Sequence, residues 1–536
     1  MPRLLDKLIQ KKLLLKTNFD YFFWFQKKTS IKKELPILKY QPLISIIVPV
    51  YDPPENFFKK CLDSVLNQTY QNWQLCLVDD CSPNSNIRKI ISDYAKKDSR
   101  IKYSFRKVNG HISQASNDAI TLATGEFIAL LDHDDEIAPH ALSSIVLLLN
   151  KSPKTDLIYS DEDKINRWGI HCDPSFKSDF ALDRFLSNNY ICHLSVIRKS
   201  LINKIGGFRP GYEGSQDYDL ILRVIENTKN IAHIPDILYH WRKTPNSTAS
   251  VYSIKSYANQ ASTNALTDHF KRQKIKATVQ NGLKLGTFRV SYSILKKPLV
   301  SIIIPSNNAS LLTNCLQTII DNTTYQNYEI TTVNNGSEKF NYSAVNNFGV
   351  TKSTGDYLLF LNNDIEIITP EWIENMLEHA QRPDIGAVGA KLLYKNGQVQ
   401  HAGVILGVGG VANHNFYRLP DSISQPFPLL NAKDIVNNFS AVTGACLMVA
   451  KSKFGKVGGF DESLSIAYND VDLCLKLNNL GFRTLYTPYA VAYHLESTSI
   501  SPNRDQVQFA REQELFRSKW SKLIENDPFY NPNLPR

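Results

Sequence analysis

The sequence predicts an α/β protein of two tandem domains, each on a mostly parallel sheet, preceded by a short basic helical segment. Three observations predict it. At 536 residues the chain exceeds what one hydrophobic core sustains, since cores stop growing near ~250–300 residues. One set of sequence blocks occurs twice in the same order. Each set opens on a short apolar run ended by proline, the pattern of a strand buried on both faces.

The repeated blocks are explicit. PLISIIVPV at 42–50 matches PLVSIIIPS at 298–306, and YQNWQLCLVDDCS at 70–82 matches YQNYEITTVNNGS at 325–337. ATGEFIALLDHDDEI at 123–137 matches STGDYLLFLNNDIEI at 353–367. GGF recurs at 206 and 458, QDYDL at 216 is answered by NDVDL at 469, and YHW at 239 by YHL at 493. A long unit present only twice is a duplicated domain and not a solenoid.

Within the first unit, Phe57, Phe58, Cys61, Leu62, Val65 and Leu66 recur at helical spacing after the opening strand. A second strand, QLCLV, then ends at Asp79 and Asp80. Strand, helix, strand describes a right-handed crossover in a parallel sheet, whose ligands bind beyond the carboxyl ends of the strands. The polar residues of interest fall there.

Composition bounds the function. Hydrophobic content of 43% and charged content of 21% are those of a globular chain. The eight cysteines form no CxxC pair or zinc-ligand array and read as buried thiols of a reducing compartment. Of the net charge of +10, residues 1–40 hold ten Lys/Arg against Asp6, Asp20 and Glu34. The remaining body is nearly neutral, which argues against a nucleic-acid partner. Those forty residues mix lysines with Tyr21, Phe22, Phe23, Trp24 and Phe25. They read either as an anchor for an anionic membrane surface or as a helix packed on the first domain. Lysines interrupt the apolar stretch, so it is not read as a signal peptide, and no run reaches about 18 apolar residues.

The chemistry concentrates in acids at strand ends. Asp132, His133, Asp134 and Asp135 follow the apolar strand EFIALL. Carboxylates massed at one spot repel one another unless a cation or a hydrogen-bonding ligand sits between them. Mg2+ or Mn2+ bridging a diphosphate meets that need, because such ions take one or two carboxylates plus phosphate oxygens. An EF-hand is excluded, since DHDDE lacks the sixth-position glycine and the distal glutamate.

With these motifs in view, both units resemble family 2 glycosyltransferases of the GT-A fold, a Rossmann-like architecture, over about residues 42–250 and 298–500. In the first unit the resemblance rests on IIVPVYDPP, VDDCS, LLDHDD, GGFRPGYEGSQDYDLILR and YHWRKTPNSTAS. In the second it rests on IIIPSNN, VNNGS, LNNDIEI, QHAGVILGVGG, TGACLMV, GGFDE, YNDVDLCLKL and YHLES. The closing DPFYNPNL resembles the end of tandem transferases of this kind.

The resemblance implies roles. Pro49, Tyr51 and Asp80 line the nucleotide, Asp132 and Asp134 hold metal and donor, Asp217 is the catalytic base, and His240 is a late metal or phosphate ligand. Asp217 reads alternatively as a helix N-cap. In the second unit Asn307 and Asn335 take the nucleotide positions, Asp364 and His494 the metal positions, and Asp470 that of the base. The implied reaction is inverting transfer from a UDP-, dTDP- or GDP-sugar to a glycan or lipid-linked glycan of the O-antigen or capsule type. It implies a cytoplasmic protein, peripheral on the inner face of the plasma membrane.

The second unit departs from this pattern. Asn334 and Asn335 replace both aspartates of the second strand, and Asn362 and Asn363 stand where the first unit has Asp132 and His133. The NND variant resembles deoxysugar transferases such as rhamnosyltransferases; loss of activity, leaving a glycan-binding module, is the other reading. His401 and His414 flank a glycine-rich loop without a counterpart in the first unit, read as an acceptor or lid element or as structural histidines. SDEDK at 160–164 reads as a site rim or surface turn. The expected limits are a basic segment at 1–40, domains at 41–253 and 298–500, a helical linker at 254–297, and a C-terminal helix and tail at 501–536.

Overall fold

The computed structural model describes residues 16–28, 38–243, 255–334, 340–423, 432–495 and 506–536. Both repeats form a sheet flanked by helices, and the two sheets share one order. The first runs Ile101–Phe105, Trp73–Asp79, Ile44–Val50, Phe127–Leu130, Ser195–Arg198, Leu157–Ile165, Ile231–Arg242, Glu136–Ile137. The second runs Tyr328–Val333, Val300–Pro305, Tyr357–Leu361, Cys446–Ala450, Ile385–Leu393, Arg483–His494, Ile365–Ile367. Along these orders they match strand for strand, except that the first sheet adds Ile101–Phe105 at its edge; off this order the second adds Asn437–Asn438, paired to Arg483–His494.

The opening strands pair in parallel in both sheets, as the apolar runs require. Beyond Phe127–Leu130 and Tyr357–Leu361 the next strand enters antiparallel, so each sheet is mixed in its second half. Strand Ile44–Val50 is buried along nearly its whole length, and helix Glu55–Leu66 seals it with Phe58, Cys61, Leu62 and Val65. At the matching place Gly125 and Gly355 pass so close to Ser45 and Ser301 that an added Cβ would lie 2.7 and 2.6 Å from the serine hydroxyls. That accounts for the glycine shared by TGE and TGD.

The linker is helical only from Lys255 to Arg272. A β-hairpin, Ala277–Asn281 with Phe288–Tyr292, follows it. Phe288, Val290 and Tyr292 alternate inward, a period-2 pattern that the helical expectation overlooked. Asp183, on the short helix Leu182–Ser187, joins the halves. Its carboxylate meets Arg382 Nη1 at 2.6 Å and Arg483 Nε at 3.1 Å, and accepts Asn438 Nδ2 at 2.8 Å. The C-terminal tail joins them as well. Asp527 accepts the Leu406 N–H and the Ser440 hydroxyl in the second half, and Asn531 Nδ2 donates to Asp161 and to the Lys177 carbonyl in the first.

The 16–28 helix packs on the first domain. Tyr21 donates to Asp163 Oδ2 at 2.6 Å, and Phe25 stacks on His171 with ring centroids 4.2 Å apart. Residues 1–15 and 29–37 of the basic segment lie outside the described residues. Among the described residues no helix is long and apolar enough to cross a membrane.

Candidate active sites

The first candidate site lies at the carboxyl ends of the parallel strands. Tyr51, half exposed, leaves the end of Ile44–Val50, and the Pro49 carbonyl is 3.1 Å from His133 Nδ1. Asp80 Oδ1 accepts the Gly110 N–H at 2.8 Å and lies 2.9 Å from Arg106 Nε. Asp79 is structural: buried, it holds Arg88 Nε at 2.7 Å and the Ser82 N–H.

The DHDD run divides by role. Asp135 is fully buried, accepting the Tyr239 hydroxyl at 2.6 Å and the Arg242 N–H at 2.7 Å. Burial, with Asp134 and Asp132 beside it, pushes its carboxyl well above the usual range. Asp134 is raised too: burial acts most, the His133 charge opposes it and the Asp132 charge adds to it. A half-buried carboxylate beside other carboxylates is a place that a cation would stabilise. Asp132 and Asp134 are the acids of the run left partly exposed, whereas Asp135 is spent on the fold.

Asp217 is the second residue of helix Gln216–Ile225, whose N-cap position is held by Ser215. Asn189 Nδ2 donates to Asp217 Oδ2 at 2.9 Å. Burial raises the Asp217 carboxyl, the nearby His193 charge lowers it, and Asp132 raises it again. Asp217, His193 and Asp132 thus share one electrostatic neighbourhood. Asp219, the other acid of SQDYD, is buried between Arg209 and Arg223 and anchors the helix.

His240 lies apart from the DHDD acids, in a group with Asp163 and His171 whose ligand atoms lie within 4.8 Å of one another and could hold a metal ion. Its Nδ1 lies 2.6 Å from Asp163 Oδ1, and His171 Nδ1 is 2.8 Å from the other oxygen. The histidine facing the acids is His193, with Nε2 3.5 Å from Asp132 Oδ2 and its ring stacked on Tyr239. Register explains why His240 and His494 take different surroundings. Aligning YHW with YHL equates His240 with His494, but Glu136 pairs with His240 whereas its counterpart Glu366 pairs with Tyr493. The position equivalent to His494 is Trp241, and a one-residue slip in a strand turns a side chain to the opposite face. His193 has no histidine counterpart: the antiparallel register Phe127↔Arg198 and Tyr357↔Ala450, carried onward, puts Ala445 there. No repeat-based signal pointed to it.

SDEDK is likewise not a surface turn. Asp161, Glu162 and Asp163 lie buried in strand Leu157–Ile165. Glu162 pairs with the buried Lys177 at 3.0 Å, and Asp161 Oδ1 lies 2.8 Å from His233 Nε2. Buried acids persist where each has partners of this kind.

In the second candidate site His494 Nε2 is 3.2 Å from Asp364 Oδ1 and 3.4 Å from Asn362 Nδ2. Asp470 Oδ2 accepts the Gly444 N–H at 2.7 Å and its Oδ1 the Val471 N–H at 2.8 Å. Asn307 is exposed after strand Val300–Pro305, and Asn335 lies outside the described residues. His401 is buried, its Nδ1 2.8 Å from His414 Nδ1. Its Nε2 accepts the Gly403 and Thr443 N–H groups, so Nδ1 carries the proton and His414 accepts it. Burial, with His414 and His494 near, holds His401 well below the ordinary imidazole range, hence neutral. The glycine-rich loop's strands, Val404–Leu406 and Ala412–His414, pair as a hairpin.

Comparison with known proteins agrees with this duplication. Residues 45–206 match the family model described as glycosyl transferase family 2, and residues 297–530 that described as glycosyltransferase like family 2. The chain carries two domains of glycosyltransferase family 2 in tandem. It is 41% identical to protein y4gI of Sinorhizobium fredii over 93% of this chain and 58% of that one. It is 34% identical to the O-antigen biosynthesis protein RfbC of Myxococcus xanthus over 94% of this chain and 41% of that one. The chain thus spans little more than half of one relative and less than half of the other. A crystal structure of Staphylococcus aureus TarS residues 1–349 in complex with UDP aligns with TM-score 0.33 at 21% identity, covering 43% of this chain and 71% of that one.

Proposed function

We propose that both domains, with limits at 41–253 and 298–500, are inverting glycosyltransferases. They move sugars from UDP-, dTDP- or GDP-sugar donors to a lipid-linked or polysaccharide acceptor in cell-surface glycan assembly, at the inner face of the membrane. The observation that carries this is the grouping of Asp217, His193 and Asp132, one acid with raised proton affinity near an acid–histidine pair. Asp217, oriented by Asn189, takes the proton of the acceptor hydroxyl as the new C–O bond forms. Asp132 and Asp134 hold the donor diphosphate through a divalent cation, which supplies counter-charge to the leaving group. Tyr51 and Asp80 flank the nucleotide. In the second domain Asp364 and His494 hold the cation and Asp470 is the base.

One observation favours a second reading, in which only the first domain turns over and the second binds glycan. Both Asp470 oxygens already accept backbone N–H groups, as a purely structural acid would. Asp217→Asn and Asp470→Asn decide between them, because the amide cannot accept the proton and loss of a general base costs typically ~100-fold to 10,000-fold. With two active sites, each variant stalls the glycan at a different mass in paired-donor incubations. A wild-type product ladder from Asp470→Asn leaves one active domain.

A further inference from the structure

The 16–28 helix has two aromatic faces. Tyr21, Trp24 and Phe25 turn inward against Phe176 and His171, while Phe19, Phe22 and Phe23 face out at 65%, 38% and 57% exposure. Beside it, Trp168 and Ile170, at the turn joining strands Leu157–Ile165 and His171–Ser175, are 68% and 45% exposed. These two segments, about 150 residues apart in sequence, border a groove of about 730 Å³ lined by Phe19, Phe22, Trp168 and Ile170 together with Arg167 and Lys243. Contiguous exposed aromatic surface of this kind marks a contact with an apolar phase or a partner.

The helix is held in place and does not dangle. Asn18 and Asp173 exchange two hydrogen bonds at 2.9 and 2.7 Å, Tyr21 is fixed to Asp163, and Lys28 donates to Asn533 of the C-terminal tail. The outward rings are therefore presented at a fixed orientation to the first domain.

We infer that this two-segment aromatic patch is a docking surface for an anionic lipid bilayer, with Trp168 and Ile170 entering the interface alongside Phe19, Phe22 and Phe23. Charge selects that occupant. Lys16, Lys27, Lys28 and Arg167 stand on the two segments against Asp20, and the sequence before the helix adds Arg3, Lys7, Lys11 and Lys12 against Asp6. Aromatic rings with a cationic rim match the headgroup boundary of an anionic leaflet. A second copy of the chain would set cations against cations. The inference rests on the proposed membrane association and deepens it. It makes a turn of the first domain part of the contact, so that the membrane fixes how the catalytic domain is turned and not merely where it is tethered.

The test is cosedimentation of the full chain with phosphatidylcholine vesicles, with and without phosphatidylglycerol, at low and high salt, using Trp168→Ser and Phe23→Ser singly and together. Both side chains are exposed, so these variants keep the fold. Binding only to the anionic vesicles, weakened by salt and by at least about tenfold in the double variant, supports the patch. So does quenching of wild-type tryptophan emission by brominated lipid that falls in Trp168→Ser. Wild-type binding by the double variant, lost only on deleting residues 1–15, overturns the patch while leaving membrane association standing. Failure of the wild type to bind any vesicle overturns both. A wild-type dimer that Phe23→Ser and Trp168→Ser dissociate, with no vesicle binding, assigns the surface to a second copy and overturns the inference.

Discussion

Asp183→Asn tests how the two domains are held. The wild-type carboxylate, 2% exposed, meets Arg382 and Arg483, and accepts Asn438. Burial alone would push its carboxyl up, but the two guanidiniums outweigh that and hold it well below the usual carboxylate range. The amide keeps the shape and removes the charge, leaving Arg382 and Arg483 to share the partly exposed Asp384, at 3.6 and 2.7 Å, as their carboxylate partner. Stranding a buried partner outright costs about 3–5 kcal/mol, an upper limit here because Asp384 still pairs with both guanidiniums. At about 2–4 °C per kcal/mol, the melting temperature should fall by no more than roughly 6–20 °C. Because the folded carboxyl is depressed below its unfolded value, its stabilisation is fully present above about pH 4 and is lost as pH falls through the folded value. Wild-type and variant stabilities should therefore diverge near neutrality and converge in acid. Arg483→Met added to Asp183→Asn should restore part of the loss by leaving Asp384 to Arg382 alone. Calorimetry across pH reads all of this. A loss under about 1 kcal/mol, flat with pH, would mean that solvent screens the cluster as it does a surface pair, and would refute the reasoning.

Other outcomes are equally concrete. His193→Ala should cut turnover by the first domain by about tenfold or more while His240→Ala leaves it within about twofold, steady-state rates being the check; the reverse order would restore His240 to the site. Because the Asp217 carboxyl is raised, the acid limb of first-domain kcat/KM should lie above the ordinary carboxylate value of about 3.9, and a pH–rate profile that stays flat down to that value would count against Asp217 as base. Asp134→Ala or EDTA should abolish first-domain transfer through loss of the leaving diphosphate's counter-charge, measured as donor consumption; full activity in EDTA would exclude the cation.

Much of this molecule is legible in its sequence. Apolar runs ended by proline, helical spacing after them, and block order repeated twice determined two α/β domains with acids at strand ends. Local signals of this kind report burial and turn chemistry, which depend on near neighbours. What they could not report is which face of a strand a residue takes once it pairs at long range. His240 and His494 share a motif yet differ by one residue of register, so one binds Asp163 and the other faces Asp364. SDEDK looks solvated because three acids in a row are costly to bury. Lys177, His233, His171, His240, Asn531, Tyr21 and the His193 N–H, brought from other segments, make that burial tolerable. His193 reaches Asp132 through the antiparallel entry of its strand, a pairing with no trace in local composition. Sequence by itself decided the elements and the acids that end them. The tertiary structure decided which histidine faces those acids, because side-chain direction in a sheet follows from register, and register is set by partners far along the chain.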